Sequence, residues 1–368
     1  MKTLNSYILK NLMMTAALAF AVLTFSMFSG YFFKAIDLLY KGVSPLTMCR
    51  FLLYMLPEIL RFTVPLSLLA ATVLLFGRLS ADNEIVAMKA VGISIWQIIS
   101  PGLIFSFLLS VLCLFNALFF APLLRYKSET LQAEALIRSP LALIEPGIFG
   151  SIVDDSWAIR VGSNRGNTLE DIHILQRDSK GKLFQDIYAR KGTIRINDTE
   201  EIELELQDVD MTTADLSEKP TPAAVRFHTA TKVRIPLDFK KEKNSRNLIR
   251  KRKFMDIRML FARMALAQSR GEEITSYMVE LHQRLALAIS PFSFLLIGIP
   301  FAIRSKRSEL SIGLLLCVLL ALGFYAFLML SDALEDVQSI HPEFILWLPN
   351  IIYQAAGIYF IRRLDRNQ

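Results

Sequence analysis

RLSADNEIVAMKAVGIS, residues 78–94, is a polar stretch set between two apolar ones. Before it, residues 62–77 carry no charge; after it, residues 90–124 carry none. Uncharged apolar runs of about 18 or more residues are long enough to cross a bilayer as a helix. The stretch therefore reads as a connection between two spans, which a few loop residues could make. Instead it contains Asp82, Glu84 and Lys89. The two acids fall where a helix begins and its macrodipole favours anions; Lys89 falls late, where cations are favoured. Gly92 suits the residue just past a helix end. Ala81, Ile85 and Met88, at i, i+4 and i+7, share one face. The spacing predicts a short helix over residues 80–92.

Outward from it, bracketing charges delimit six spans: Asn11–Phe33, Phe62–Gly77, Ala90–Leu124, Leu285–Ile303, Leu310–Ser331 and Phe344–Ile361. The second is short, and an earlier start is expected because Glu58 and Arg61 interrupt a longer apolar run. The chain is 53% hydrophobic and 20% charged, with a mean hydropathy of +0.40. An ordinary soluble domain is about 45–50% apolar and about 25% charged. A secretory leader is the competing reading of the first run. Its apolar core would be about 7–15 residues, followed by a small-residue cleavage site. Here the run is 23 residues long and ends in GYFFK, which favours a span.

Orientation follows from basic residues close to the spans. Lys2 and Lys10 precede the first span, Arg304, Lys306 and Arg307 follow the fourth, and RRLDRNQ ends the chain. With six spans these lie on one side, the cytoplasm. The loop with Asp332, Glu335, Asp336 and Glu343 has no Lys or Arg and belongs outside. Residues 78–94 are then cytoplasmic. The net charge of +7 is accounted for by anionic inner-leaflet lipid and needs no nucleic acid. Cys49, Cys113 and Cys317 lie in or beside spans, so no disulfide framework or metal spacing is implied.

Between spans three and four the pattern changes to period two. SWAIRVGS, EDIHILQR, KLFQDIYARKGTIRIN, EIELELQDVDMTT and AVRFHTATKVRI alternate apolar and polar residues between turn signals. Residues 139–239 read as an antiparallel sandwich or jelly roll. The expected organisation is residues 1–138 with spans one to three, the β-domain at 139–239, a basic linker and short helix at 240–276, and spans four to six at 277–368. The fold class is an α-helical membrane protein with six transmembrane helices, plus an antiparallel, jelly-roll-like periplasmic β-domain inserted between helices 3 and 4. MDIRMLFARMALAQSRG reads as a short helix stopped by Gly271.

Catalytic motifs are missing: no HExxH, GxSxG or GxxxxGK[ST] occurs. His173, His228, His282 and His341 are scattered, and Asp332 and Asp336 suit an outward rim better than an acid–base pair. Residues 240–253 suit a solvated linker better than a ligand site. Three functional classes then compete. A permease would use the cytoplasmic helix as a lever against a motor. A membrane-anchored sensor or adhesion protein would use the β-domain alone. An intramembrane enzyme would need facing polar groups inside the spans, which carry almost none. The helix itself is either a plain surface helix resting on the lipid boundary or one that docks into a partner's groove.

Four stretches resemble the lipopolysaccharide export permeases, the LptF/LptG type of ABC transporter subunit: SGYFFKAIDLLYKG (29–42), NEIVAMKAVGIS (83–94), LALIEPGIFG (141–150) and YMVELHQRLALAISPFSFLLIGIPFAI (277–303), the last with its helix arginine, here Arg284. They occur in the family's order along the whole chain, and the first span leans towards the G-like type. The resemblance implies an inner-membrane protein with both termini cytoplasmic and the β-domain periplasmic. It implies a paired second permease, either a paralogue or a second copy. A separate LptB-type ATPase would hold ATP and Mg, with no cofactor on this chain. A periplasmic LptC/LptA-type bridge protein with a similar β-domain would receive the lipopolysaccharide. It places Glu84, with Asp82, Ile85 and Met88, against the ATPase. Lys34 and Lys41 would meet lipid phosphates at the outer end of span one, where Lys is a point-charge phosphate partner; interfacial snorkelling is the alternative.

Overall fold

The computed structural model describes residues 2–40, 43–138, 147, 149–151, 157–165, 168–177, 183–196, 202–214, 225–237, 252–304, 310–335 and 341–366. Its helices are α1 (Lys2–Tyr40), α2 (Pro45–Ala81), α3 (Glu84–Ala90), α4 (Ile95–Phe115), α5 (Ala121–Arg138), α6 (Ile257–Ser269), α7 (Thr275–Arg304), α8 (Leu310–Ala333), α9 (Pro342–Ile345) and α10 (Leu348–Arg366). Among the described residues six helical stretches are long and apolar enough to span a membrane: α1, α2, α4 running through α5, α7, α8, and α9 with α10. The second span does start early, at Pro45, and carries Glu58 and Arg61 within it. The third is longer than its uncharged run and contains one π turn, Asn116–Phe120, where the Asn116 amide donates to the Pro57 carbonyl of α2 at 2.8 Å. The chain thus forms a helical membrane protein with an antiparallel β-domain inserted after its third span.

Two compact units are present: Met1–Phe33, Leu52–Ser128 and Lys251–Gln368 in one, Lys34–Phe51 and Glu129–Arg250 in the other. In the helical unit α2 and α7 form the centre, with 67% and 78% of their most apolar windows buried against 11% for α1 and 17% for α8. Leu68, Leu69, Phe76, Phe294 and Leu295 are fully buried there. Interhelical polar contacts supplement the packing, as they do in lipid where helices gain little from apolar burial. Ser293 donates to Asn350 Oδ1 at 2.7 Å, Asn350 donates to the Ala286 carbonyl at 3.0 Å, and Gln354 donates to Ser293 at 2.9 Å, joining α7 to α10. A Cβ at Gly357 would meet the Leu296 carbonyl oxygen at 2.6 Å, so only glycine allows these helices so close.

At the other end of α7 sits a buried arginine. Arg284, 1% exposed, donates to Glu280 Oε1 at 2.8 Å and to the Met255 carbonyl at 2.7 Å, and reaches the Arg252 and Lys253 carbonyls at 3.3 and 3.4 Å. The segment 252–255, through which the chain re-enters the helical unit, is thereby tied to α7. Arg252 also pairs with Glu335 at 3.2 Å, just past α8.

The β unit is one six-stranded antiparallel sheet whose strands follow in sequence: β1 (Gly150–Ser151), β2 (Trp157–Arg165), β3 (Thr168–Arg177), β4 (Leu183–Ile196), β5 (Ile202–Ala214) and β6 (Val225–Leu237). Ile159, Val161, Ile172, Ile174, Leu204 and Leu206 bury one face. The alternation slips once in the long strands. Inward residues on β5 are 204 and 206 and then 209; on β3 they are 169 and then 172. At the slips Asp171 and Asp208 take left-handed backbone, φ +54° and +53°, a conformation that Asp tolerates better than most residues. Gly162, Asp171, Arg190, Asp208 and Thr231 are skipped in successive ladders, each opposite a skipped residue of the neighbouring strand, so the register is kept and one line of unpaired positions crosses the sheet. The Tyr188 hydroxyl donates to Asp171 at 3.0 Å, and that carboxylate raises the phenol above its ordinary range.

Candidate docking site on the short helix

The site is built from the end of α2. The chain leaves that helix at Ala81, and the Asp82 and Asn83 amides close back on the Arg78 and Ser80 carbonyls. Asn83 stands in left-handed backbone, φ +57°, which redirects the chain into α3. Asp82, expected inside the helix, therefore lies in the turn before it, and Ala81 belongs to α2; α3 itself is seven residues, Glu84–Ala90. Its end matches the sequence pattern closely. Gly92, φ +83°, donates to the Lys89 carbonyl at 2.9 Å, and Ile93 donates to Met88 at 3.2 Å. That pair of bonds is a Schellman motif.

Seven residues cannot hold a helix alone in water, and α3 is held from outside. Ile85, 4% exposed, inserts into the cluster containing Phe76, Leu79, Ile95 and Ile98, with Met88 and Ile93 packed at its edge. Lys89 Nζ donates to the Leu364 carbonyl of α10 at 2.8 Å. Asp365 Oδ1 accepts from the Ile95 amide at 3.0 Å, just beyond α3. The Tyr7 hydroxyl of α1 donates to Glu84, at 3.1 Å from Oε2 and 3.3 Å from Oε1. Ser80 donates to the Ile303 carbonyl at 2.9 Å, fixing the end of α2 to the end of α7. Downstream, Ser94 and Gln97 form a capping box that starts α4. Ends of four spans thus converge on one short helix.

The predicted residues separate by direction. Ile85 faces inward and Met88 is half-buried, so the shared face of the sequence pattern rests on helices rather than on lipid. Asp82 is exposed and Glu84 half-exposed. The outward surface is completed by residues that the pattern does not single out: Val86 at 61% and Val91 at 77% exposure, with Ala87 and Ala90 between them. The signal was present in the sequence, because two valines on the polar side of a short amphipathic helix have no intramolecular reason to be apolar. Lys34 is exposed on α1, belongs to the other unit and makes contacts of its own within the chain. Lys41 lies outside the described residues.

Chemically the surface offers a rigid apolar patch beside carboxylates, suited to gripping another protein. Among the described residues no three His, Cys, Asp or Glu side chains are grouped to hold a metal. A groove of about 730 Å³ between α4, α7 and α10 is lined chiefly by apolar side chains such as Phe107, Val111 and Phe292. Its polar Asn350 and Gln354 are engaged in the helix–helix bonds described above.

Residues 6–363 match the family described as lipopolysaccharide export system permease LptF/LptG. The lipopolysaccharide export system permease protein LptF of Escherichia coli strain K12 is 21% identical over 316 residues, covering 82% of this chain and 78% of that protein. The protein of the same name from Shigella flexneri matches with the same identity and coverage.

Proposed function

The chain belongs to the lipopolysaccharide export permease family LptF/LptG, and from that premise we propose that it is one permease of a transporter driven by a separate cytoplasmic ATPase. The observation that carries this is the construction of α3: a seven-residue helix, anchored to the ends of other spans, that turns Val86 outward between the exposed Asp82 before it and Val91 at its end. Rigid anchoring is what a lever needs. The ATPase seats on that face, with Glu84 turning from Tyr7 to a basic group of the partner. ATP and Mg bind on the partner, and this chain contributes no catalytic group.

The substrate is lipopolysaccharide, drawn from the outer leaflet of the inner membrane into a cavity shared with a second permease of the same family. Lys34 meets a lipid phosphate at the outer end of α1. The β unit passes the lipid on, and a bridge protein with a similar domain pairs along its edge strand β6, as strand addition to an open edge allows.

The test is co-purification in mild detergent with the ATPase encoded in the same cell. Wild-type protein is expected to bring the ATPase down; Glu84→Lys and Val86→Asp are expected to insert normally and lose it. Breaking one side of an interface charge pair costs about 2–5 kcal/mol. Retention of the ATPase by both variants would remove α3 as the docking site. A wild-type protein that brings down no ATPase would favour a sensor or adhesion role. Lys34→Glu should slow lipid export more than Lys34→Ala; equal export by the two would make Lys34 a snorkelling residue.

A further inference from the structure

We propose that α6 is an interfacial helix. It lies in the headgroup layer of the bilayer beside the first turns of α7, with Phe261 in the acyl boundary and Arg263 and Arg270 towards the lipid phosphates. The argument starts from α7. Its 30 residues correspond to about 45 Å of helix, the thickness of a bilayer with both headgroup layers, while the hydrocarbon core takes about 30 Å. The uncharged run of this span begins only at Leu285, so the turns just before Leu285 occupy the headgroup layer. Leu260 of α6, fully buried, packs in a cluster with Leu281 and with Tyr277 and Leu285 of α7. Those contacts run from Leu285 at the core boundary outward to Tyr277 and place α6 beside the headgroup layer. The conclusion holds whichever side of the membrane this end of α7 faces.

The faces of α6 suit that position. Leu260 and Ala267 turn to α7 and are buried. Phe261 is 53% and Leu266 41% exposed. At about 100° per residue, Phe261 stands roughly opposite Arg270 around the axis, with Arg263 on Arg270's side. Leu266 falls near the arginine flank and stays in the headgroup layer. Within Ile257–Ser269 the charges are Arg258 and Arg263, with no acid; Arg270 follows at the end, beside Glu272 at 3.9 Å. Arg258 stands about 60° from Phe261 around the axis, so arginines flank the exposed apolar residues on both sides; a helix with exposed apolar residues, arginines and no acid gains from anionic lipid at an interface. Long arginine stems can also extend to phosphate from within the layer. The helix is fixed at its start: Asp256 caps it by accepting from the Met259 amide at 2.9 Å, and the preceding residues are held by Arg284.

The experiment uses full-length protein with Cys49, Cys113 and Cys317 replaced by Ser, in vesicles of phosphatidylcholine and phosphatidylglycerol. Single nitroxide labels at Phe261→Cys and Arg270→Cys are compared for collision with oxygen, which concentrates in the acyl region, and with a water-soluble nickel complex. The label at 261 should favour oxygen several-fold over nickel, and the label at 270 should reverse that ratio. Equal, high nickel access at both would place α6 in water and overturn the proposal. Shielding of 261 from both probes would also overturn it, because a protein surface would then cover the face. If Phe261→Cys fails to insert, Phe261→Trp, with Trp96, Trp157 and Trp347 replaced by Phe, gives the same reading: quenching by brominated acyl chains supports the proposal, and none rejects it.

Discussion

The two short helices α3 and α6 are built on the same plan and differ in what they turn outward. Each has one side packed on the spans and one side turned out: Ile85 in and Val86 and Val91 out on α3, Leu260 in and Phe261 out on α6. They differ in how they are held. The thirteen-residue α6 begins on its own cap, Asp256. The seven-residue α3 has no side-chain cap at its start and depends on Tyr7, Leu364 and the core around Ile85. Their outward charges also differ, acids beside α3 and arginines along α6. An acidic rim with small apolar groups suits a basic groove on a protein, and a basic flank with an aromatic suits anionic lipid. The position of a charge, more than the apolar pattern, distinguishes the two surfaces.

The comparison is best broken by removing one anchor at a time. Arg284→Met should have the largest effect. It leaves Glu280 buried without its partner and strands the Met255 carbonyl, and losing one side of a buried pair costs about 3–5 kcal/mol. The loss should appear as faster hydrogen exchange over residues 252–269 and a lower unfolding temperature, with ATPase docking on α3 retained. Adding Glu280→Leu should recover part of the stability, because no uncompensated charge then remains. Ile85→Ala should come next. Buried Ile→Ala changes cost about 2–5 kcal/mol, and a short helix with one main apolar anchor sits where such a loss releases it. Exchange should rise over residues 84–93, docking should weaken, and α6 should be unchanged. If either substitution loosens both helices, they are not independently anchored.

How much of this could be read from sequence varies with how local the cause is. The spans followed from charge-free runs, and the end of α3 followed from Gly92, because a Schellman motif is decided within six residues. The β-domain followed from alternation, and the break in it was also written there: apolar residues at 204 and 206 and then 209 mark the slip that Asp208 makes. The start of α3 did not follow, since Asp82 suits a first turn and a preceding turn equally well. Asn83 in left-handed backbone decides between them. Nor did the anchors follow: Lys89 and Leu364 are 275 positions apart, and no periodicity links them. The inward role of Ile85 was half legible, as its shared face with Met88 was plain but not what would cover it.

Gly92→Ala tests the local part of that reading. A left-handed residue with a side chain costs about 1–2 kcal/mol relative to its preferred conformation, and nothing lies within 4 Å of a Cβ added there. The effect should therefore be purely conformational. Asparagine, which tolerates this backbone better, should recover part of the loss in the same exchange measurement, whereas crowding would make asparagine worse than alanine.

Lys89→Met should have the smallest effect, and it bears most directly on how α3 is held. The substitution keeps an apolar side chain and removes one hydrogen bond to the Leu364 carbonyl. A typical intramolecular hydrogen bond contributes about 0.5–1.5 kcal/mol net. Lys89 is only half-buried, so water can replace the lost donor at Leu364, which keeps the cost towards the low end. Ile85 and the Gly92 turn remain, so α3 should stay formed and ATPase docking should fall only slightly. The measurable change should be local: faster exchange at the end of α10 with little change at residues 84–88. Should Lys89→Met abolish docking while Ile85→Ala leaves it intact, the ranking of anchors would be reversed. The tie to α10, and not burial in the core, would then hold the helix in its working position.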